Sequence, residues 1–268
     1  MFLSIITINR NNAEGLKKTL DSVASQTCRD FEHIIIDGAS TDDSVDVIKN
    51  YVASSAGKNV SYWVSEPDKG VYNAMNKGIG HLGDSEYCLF LNSGDWLVDD
   101  NVIGRENKSH YTESIIYFDA IIVKDKKTKV SYPEELSMRS FLFGLTLNHQ
   151  NELIRTSLQK NSLYNETLKI FADNEFNIKN ILINKVSVRH SKNTLSYFDA
   201  RDGISSVNTD LCKKEQEMVL IELFGKGIYD DYQLLKDYET GYCGMLKIIR
   251  KILSVIAGIT FRRRKVNC

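Results

Sequence analysis

Apolar and polar positions along the first hundred residues switch between two periods. Leu3 to Ile8 is an apolar run of buried-strand length, closed by a polar turn at Asn9 to Asn12. Leu16, Leu20 and Val23 then follow at i, i+4 and i+7, which predicts a helix. Glu32 to Ile36 is a second strand. Beyond the Asp37 to Asp42 loop, Val45, Ile48 and Val52 mark a second helix that Thr41 or Asp42 can cap. Val60 to Ser65 reads as a strand stopped by Pro67, Gly70 to Gly80 as a helix, and 87–91 as a fourth strand. Strands alternating with helices over short links predict an α/β fold with a mostly parallel sheet and right-handed crossovers.

The pattern weakens after residue 100. Ser114 to Val123 and Lys129 to Tyr132 predict a strand pair around a Lys/Asp-rich turn, Ser137 to Leu145 a helix, and Leu168 to Leu182 another. Residues 207–243 are polar with helical spacing. The chain shows no repeat or low-complexity linker, so the expected organisation is one domain over 1–206 and a helical extension over 207–268.

The bulk composition narrows the classes. With 268 residues, 42% of them hydrophobic, one sizeable domain with an appendage can bury a core. A net charge of −1 gives no electrostatic footprint for nucleic acid. The five cysteines form no C-x-x-C pair, and Cys88 lies inside an apolar strand, a pattern of reduced thiols rather than of a disulfide framework or zinc site. Met1 to Ile6 lacks the basic start and length of a signal peptide, and no uncharged apolar stretch is long enough to span a bilayer. The expectation is a cytoplasmic protein.

Chemistry concentrates where two strands end. Asp37-Gly38-Ala39-Ser40-Thr41-Asp42 follows one apolar strand and Asn92-Ser93-Gly94-Asp95 another. Open α/β sheets bind ligands beyond the carboxyl ends of their strands, so both loops face one expected pocket. Asp37 can accept a hydrogen bond from a nucleobase N–H or a ribose hydroxyl, and would serve equally as a turn cap. Asp95 is an oxygen ligand suited to Mg²⁺ or Mn²⁺, whose octahedron phosphate oxygens and water complete. Asn, Ser, Gly and Asp are also ordinary turn residues.

These segments, together with Ile5-Ile6-Thr7-Ile8-Asn9-Arg10, Leu20 to Thr27, and Ser65-Glu66-Pro67-Asp68-Lys69-Gly70-Val71-Tyr72-Asn73-Ala74-Met75-Asn76-Lys77-Gly78, resemble family 2 inverting glycosyltransferases of GT-A fold. They are similar to the bacterial enzymes that build capsules, exopolysaccharides and lipopolysaccharide. The resemblance is strong over residues 3–100 and thinner to about 206. It implies a Rossmann-like central sheet flanked by helices, a nucleotide-sugar donor (most often a UDP-sugar), a divalent cation, and a saccharide or polyprenyl-linked acceptor.

Residue by residue, Thr7 and Asn9 match positions framing base and ribose, Asp37 the uracil-binding aspartate, and Asp68 and Lys69 a loop near the nucleotide. Asn92, Ser93 and Gly94 match the donor loop, and Asp95 its metal-ligating acid. Asn92 and Gly94 stand where many relatives carry Asp, which weakens the implied metal site. That departure keeps open a catalytically impaired nucleotide-sugar-binding protein of the same fold.

Inverting transfer needs a carboxylate to take the acceptor's proton. Asp173 and Glu175, in Ile170-Phe171-Ala172-Asp173-Asn174-Glu175-Phe176, are the candidates, and Asp173 matches the family's acidic helix start. Either acid would also suit a helix N-terminus. His149-Gln150 resembles a subfamily pair that contacts donor sugar or acceptor, and His190 is a candidate late metal ligand. Asp202 to Ser206 resembles a glycine-serine segment closing the domain and carries no assigned chemistry.

Gly244 to Ile259 is apolar on one side with Lys247, Arg250 and Lys251 on the other, and Arg262-Arg263-Arg264-Lys265 follows. A basic amphipathic helix of this kind suits either an anionic membrane surface or a core. A dinucleotide-dependent oxidoreductase is disfavoured because no G-x-G-x-x-G follows the first strand. A nucleotidyltransferase would want a glycine-rich basic loop there, which is also missing.

Overall fold

The computed structural model describes residues 1–201 and 208–256. Its first compact unit comprises 1–137 and 146–217. Here Leu3–Asn9 (β1), Phe31–Asp37 (β2), Val60–Ser65 (β3) and Tyr87–Phe90 (β4) alternate with Ala13–Ala24 (α1), Ser44–Ala53 (α2) and Val71–Gly80 (α3). Every residue of β1 is buried, as expected for a strand covered on both faces. The helical stripe expected for α1 is the one observed: Leu16, Leu20 and Val23 are buried, joined by Thr19, and Asn12 caps the helix through the Gly15 N–H. Asp42 serves two helix starts, accepting from Ala13 N at 2.9 Å and from Ser44 N at 3.1 Å.

Next come Trp96–Leu97 (β5), Val102–Asn107 (α4), Ile115–Phe118 (β6), Ala120–Val123 (β7) and Lys127–Val130 (β8). Glu152–Arg155 (β9), Thr156–Asn161 (α6), Ala172–Ile178 (α7), Val188–Ser191 (β10) and Ser196–Asp199 (β11) complete the sequence, with α5, Met138–Leu142, lying in the other unit. The main sheet has seven strands in the order β10-β6-β9-β4-β1-β2-β3. Only β9 runs against its neighbours. This is the mixed α/β, mostly parallel sheet expected. Because β1 lies between β4 and β2, the loops after all three strands open at the same edge.

Two expected elements differ. The single strand over Ser114 to Val123 is two strands in two sheets: β6 joins the main sheet, and β7 joins a four-stranded sheet of order β5-β11-β7-β8. The break falls at Asp119, a buried carboxylate that draws Ser131 Oγ, Tyr132 N and His190 Nε2 to itself. A buried charge needs such partners, and the chain turns to meet them. The helix expected over Leu168 to Leu182 is α7 followed by a π-helical turn at Lys179–Ile183.

The second compact unit gathers 138–145 with the chain from 218 onward. Within it Arg139 pairs with Glu239 at 2.6 Å, and Phe143 meets Tyr232 edge-on. The chain here is helical, Thr209–Phe224 (α8) followed by Lys226–Ile256 (α9). The amphipathic stretch expected from Gly244 is therefore the end of a 31-residue helix. Residues 257–259, the Arg262–Lys265 cluster and the Asp202–Ser206 segment lie outside the described residues. Among the described residues no helix is long and apolar enough to cross a membrane.

Candidate active site

A cavity of about 940 Å³ opens at the carboxyl edge of β4, β1 and β2. Its walls include Asn9, Asn12, Asp68, Asn92, Ser93 and Asp199. Two cross-braced loops build one side. Asn11 N donates to Ser40 Oγ at 2.8 Å, and Thr41 N to Asn11 Oδ1 at 2.8 Å. Asn11 and Ala39 both take positive φ, a backbone cost that this bracing sustains. Gly38 lets the Asp68 carboxylate come close, since a Cβ there would lie 2.2 Å from Asp68 Oδ2 and would push that side chain aside.

Asp37 sits behind this wall rather than in it. Its carboxylate accepts four hydrogen bonds: Asn9 Nδ2 at 2.7 Å, Ser40 Oγ at 2.5 Å, Ser40 N at 2.9 Å and Ser65 Oγ at 2.6 Å. Four partners fill its lone-pair sites. Burial alone would raise its pKa, but the bonds from Ser40, Ser65 and Asn9 hold it below the usual carboxylate range. Asp37 therefore fixes Asn9 and Ser40, and a nucleoside N–H would have to displace one of its present partners. Thr7 differs from its expected place too. Its buried hydroxyl donates to Leu91 O at 2.8 Å and accepts from His33 Nε2 at 2.9 Å, inside the sheet. Lys69 is exposed and does not line the cavity.

The opposite wall is the Asn92–Gly94 loop, tied to α1 by Asn12 Nδ2 donating to Ser93 O at 3.2 Å. Gly94 needs its φ of 105°, a region L side chains avoid. Asp95 lies just behind, 6% exposed, with Oδ1 accepting from Asp199 N at 2.9 Å. Burial pushes its carboxyl up to about 7. The Asp199 carboxylate faces the cavity, held by the Arg201 guanidinium and lying 4.0 Å from Lys18 Nζ. Lys18 itself rests on the Trp96 ring.

A buried, poorly solvated carboxyl beside a second carboxylate suits a divalent cation, which would ionise the first. Among the described residues no cluster of three or more His, Cys, Asp or Glu is present, so the chain offers this pair, and Mg²⁺ or Mn²⁺ bound to phosphates needs no more. Nothing local in the sequence marked Asp199, which follows Asp95 by 104 residues.

Asp173 is in the first turn of α7, and its approach is fixed by Glu215, whose carboxylate accepts from the successive N–H groups of Lys169, Ile170 and Phe171 at 2.7–3.1 Å. Asp173 Oδ1 accepts from Tyr72 Oη at 3.1 Å and Asn174 N at 2.8 Å, while Oδ2 accepts from His149 Nδ1 at 3.0 Å. The far nitrogen of His149, Nε2, is 2.9 Å from Asn92 Nδ2, so the pair reaches the cavity wall. Burial alone would lower the His149 pKa, but the bond to Asp173 and its charge raise it. Behind them burial pushes Glu152 up to about 7, with Asn177 Nδ2 on both its oxygens.

Gln150 is buried away from the cavity, its carbonyl accepting from Ser196 Oγ. His190 is in a separate network on the edge strand β10, bonded to Asp119 Oδ1 at 2.9 Å and sharing no hydrogen-bond partner with Asp95. The structure does not bring it to the expected metal site. Tyr72, Lys18, Ser65 and Glu215 are the further site residues that the sequence reading passed over.

Comparison with known proteins agrees with this geometry. Residues 4–175 match the model of glycosyl transferase family 2. A PGL/p-HBAD biosynthesis glycosyltransferase of Mycobacterium bovis is 30% identical over 211 residues, covering 77% of this chain and 80% of that protein. An uncharacterized glycosyltransferase of Mycobacterium tuberculosis is 34% identical over 190 residues, 68% of this chain and 69% of that one. Among solved structures, Staphylococcus aureus TarS 1–349 in complex with UDP-GlcNAc superposes with a TM-score of 0.65 at 19% identity, covering 82% of this chain and 67% of that chain. The mannosyltransferase PcManGT of Pyrobaculum calidifontis, in complex with GDP-Man and Mn²⁺, gives 0.63 at 11% identity, covering 82% and 63%. The structural neighbours share the GT-A fold. With that fold, and a family match over most of its length, the chain belongs to glycosyl transferase family 2.

Proposed function

We propose that the protein is an inverting, cation-assisted hexosyl- or N-acetylhexosaminyltransferase that uses a nucleotide-sugar donor, most often a UDP-sugar. One observation carries the reading: Asn9, Asn92 and Asp199 line one cavity, Asp95 is bonded to Asp199 just behind it, and Asn92 connects through His149 to Asp173. Asn9, Asn11 and Arg10 frame the nucleoside, organised by Asp37 from behind. Asn12 and Ser93 face the diphosphate. Asp95 and Asp199 would hold the cation, Mn²⁺ or Mg²⁺, which would supply positive charge against the leaving diphosphate.

Asp173 is the base. Among the described residues its Oδ2 has one partner, His149, which leaves a lone pair for the acceptor hydroxyl. As that hydroxyl oxygen bonds to the anomeric carbon, its proton passes to Asp173, and the bond from that carbon to the diphosphate oxygen breaks. The transition state is oxocarbenium-like, so the nearby carboxylate also stabilises it electrostatically. Tyr72 and His149 orient the carboxylate for this transfer.

The acceptor is a saccharide or polyprenyl-linked saccharide of bacterial surface polysaccharide biosynthesis. We place the enzyme in the cytoplasm, peripheral on the inner face of the cell membrane through the basic C-terminal helix. The fold shared with a UDP-GlcNAc-bound TarS and a GDP-Man-bound mannosyltransferase supports a nucleotide-sugar donor. The test is incubation with a panel of UDP- and GDP-sugars, with Mn²⁺ or with chelator. Release of the nucleoside diphosphate that stops on chelation is expected. Binding without release under every condition would leave a nucleotide-sugar-binding protein instead. A truncation after residue 243 that stays wholly in the membrane fraction would overturn the anchoring role of the C-terminal helix.

A further inference from the structure

Between the donor loop and the base stands a single imidazole with both nitrogens engaged. We propose that His149 is a positioning residue that clamps Asp173 to the donor loop, its Nδ1 holding the base and its Nε2 holding Asn92. The inference rests on Asp173 being the base. It replaces direct contact of His149 with a sugar by an action through two other residues.

The hydrogen bonds give each nitrogen its task. With the Asn92 amide nitrogen turned to Nε2 at 2.9 Å, Nε2 is the acceptor and the ring proton belongs on Nδ1. Nδ1–H then donates to Asp173 Oδ2 at 3.0 Å. Oδ1 of the same carboxylate is taken by Tyr72 Oη, Asn174 N and Asn174 Nδ2. Three donors on one oxygen and one on the other leave Oδ2 as the oxygen able to receive a further proton. The bond from Nδ1 fixes where that lone pair points.

Asn92 adds adaptability that an aspartate lacks. Its Oδ1 is buried without a partner, so a half-turn of the amide would offer an acceptor to Nε2–H. Asn92 can thus hold His149 in its neutral or its doubly protonated form, whereas a carboxylate there would favour only the charged one. Asp173, Asp95 and Glu152 are the charged groups bearing on the ring. Asn92 and Ser93 line the donor cavity, so the loop that receives the nucleotide sugar also holds the base in register.

Two substitutions separate the two contacts. Asparagine at 149 places an amide nitrogen near the Nδ1 position, where it can donate to Asp173, and glutamine places its amide oxygen near Nε2, where it can accept from Asn92 Nδ2. His149→Asn is expected to keep kcat within about threefold while raising donor KM. His149→Gln is expected to keep donor KM while lowering kcat by about tenfold or more, the factor for one charge-assisted hydrogen bond. His149→Ala should show both losses. Thermal melting of each variant controls for folding, since a merely structural histidine would move kcat and KM together. The inference is overturned if His149→Ala transfers sugar at the wild-type rate, or if the asparagine and glutamine variants lose kcat equally. The companion variant Asp173→Asn separates the two readings: its retaining activity defeats the base assignment, whereas an inactive Asp173→Asn beside an unaffected His149→Ala defeats only the clamp.

Discussion

His149–Asp173 and His190–Asp119 are the same chemical pair in two settings, with contacts of 3.0 Å and 2.9 Å. At the sheet edge the pair is sealed. Asp119 also takes Ser131 Oγ, Tyr132 N and Lys129 Nζ, and Tyr117 stacks on the His190 ring. Both side chains are under 5% exposed. Beside the cavity the carboxylate of Asp173 keeps 12% exposure and the imidazole 19%, and one oxygen retains a lone pair. What separates structure from chemistry here is therefore access to a free lone pair on the acid, since the unpartnered Nδ1 of His190 is itself sealed away, and the identity of the paired residues says little. A histidine beside an acid carries no function until its second nitrogen and the acid's other lone pairs are accounted for.

The largest expected effect comes from breaking one pair. Asp173→Asn should lower kcat for sugar transfer by about 10²- to 10⁴-fold, the range for loss of a general base, with donor binding retained in a titration. Asp119→Asn should do the reverse. Leaving the buried donors around Asp119 facing a neutral amide costs about 1–3 kcal/mol, read in denaturant unfolding, while activity per folded molecule stays near wild type. Equal activity losses in the two variants would erase the distinction between the pairs.

A third carboxyl sharpens the comparison through pH. Asp95 is pushed up to about 7 when folded, against about 3.9 for a free aspartate, so the folded state holds a proton that the unfolded chain has released. Its contribution is favourable to folding at low pH and is lost as pH rises from about 4 to about 7. Cation-free Asp95→Asn should accordingly melt a few degrees above wild type at pH 8 and converge with it near pH 4. Glu152, shifted in the same direction, is common to both proteins and cancels. Added Mn²⁺ should close the gap at pH 8 by stabilising the wild type alone. The smallest effect is expected at Asp37. Ser65→Ala removes one of its four donors, and should cost about 1 kcal/mol of stability and shift donor KM only modestly.

Much of the first half was legible in the sequence. The apolar runs ending in Asn9, Asp37 and Asn92 become neighbouring parallel strands, because a covered parallel sheet requires continuous apolar strands and crossover helices. The Leu16, Leu20 and Val23 stripe packs as its spacing dictates. The second half was harder to read because its strands are short and shared between two sheets. Asp119 ends one strand and starts another only because Ser131, Tyr132 and His190 are brought to it. A linear pattern of hydrophobicity contains no trace of that.

By itself, then, the sequence determined the order of strands and helices over the first ninety or so residues and the edge at which the acidic loops emerge, since both follow from local periodicity and the handedness of crossovers. Tertiary structure decided how each carboxylate is used. Asp37 is saturated by three side chains and one backbone N–H, Asp95 is paired with a residue 104 positions away, and Asp173 is held by a histidine that also grips the donor loop. Protonation and free lone pairs depend on which partners packing delivers within about 3 Å, and neighbours at that range are set by the fold rather than by the order of residues.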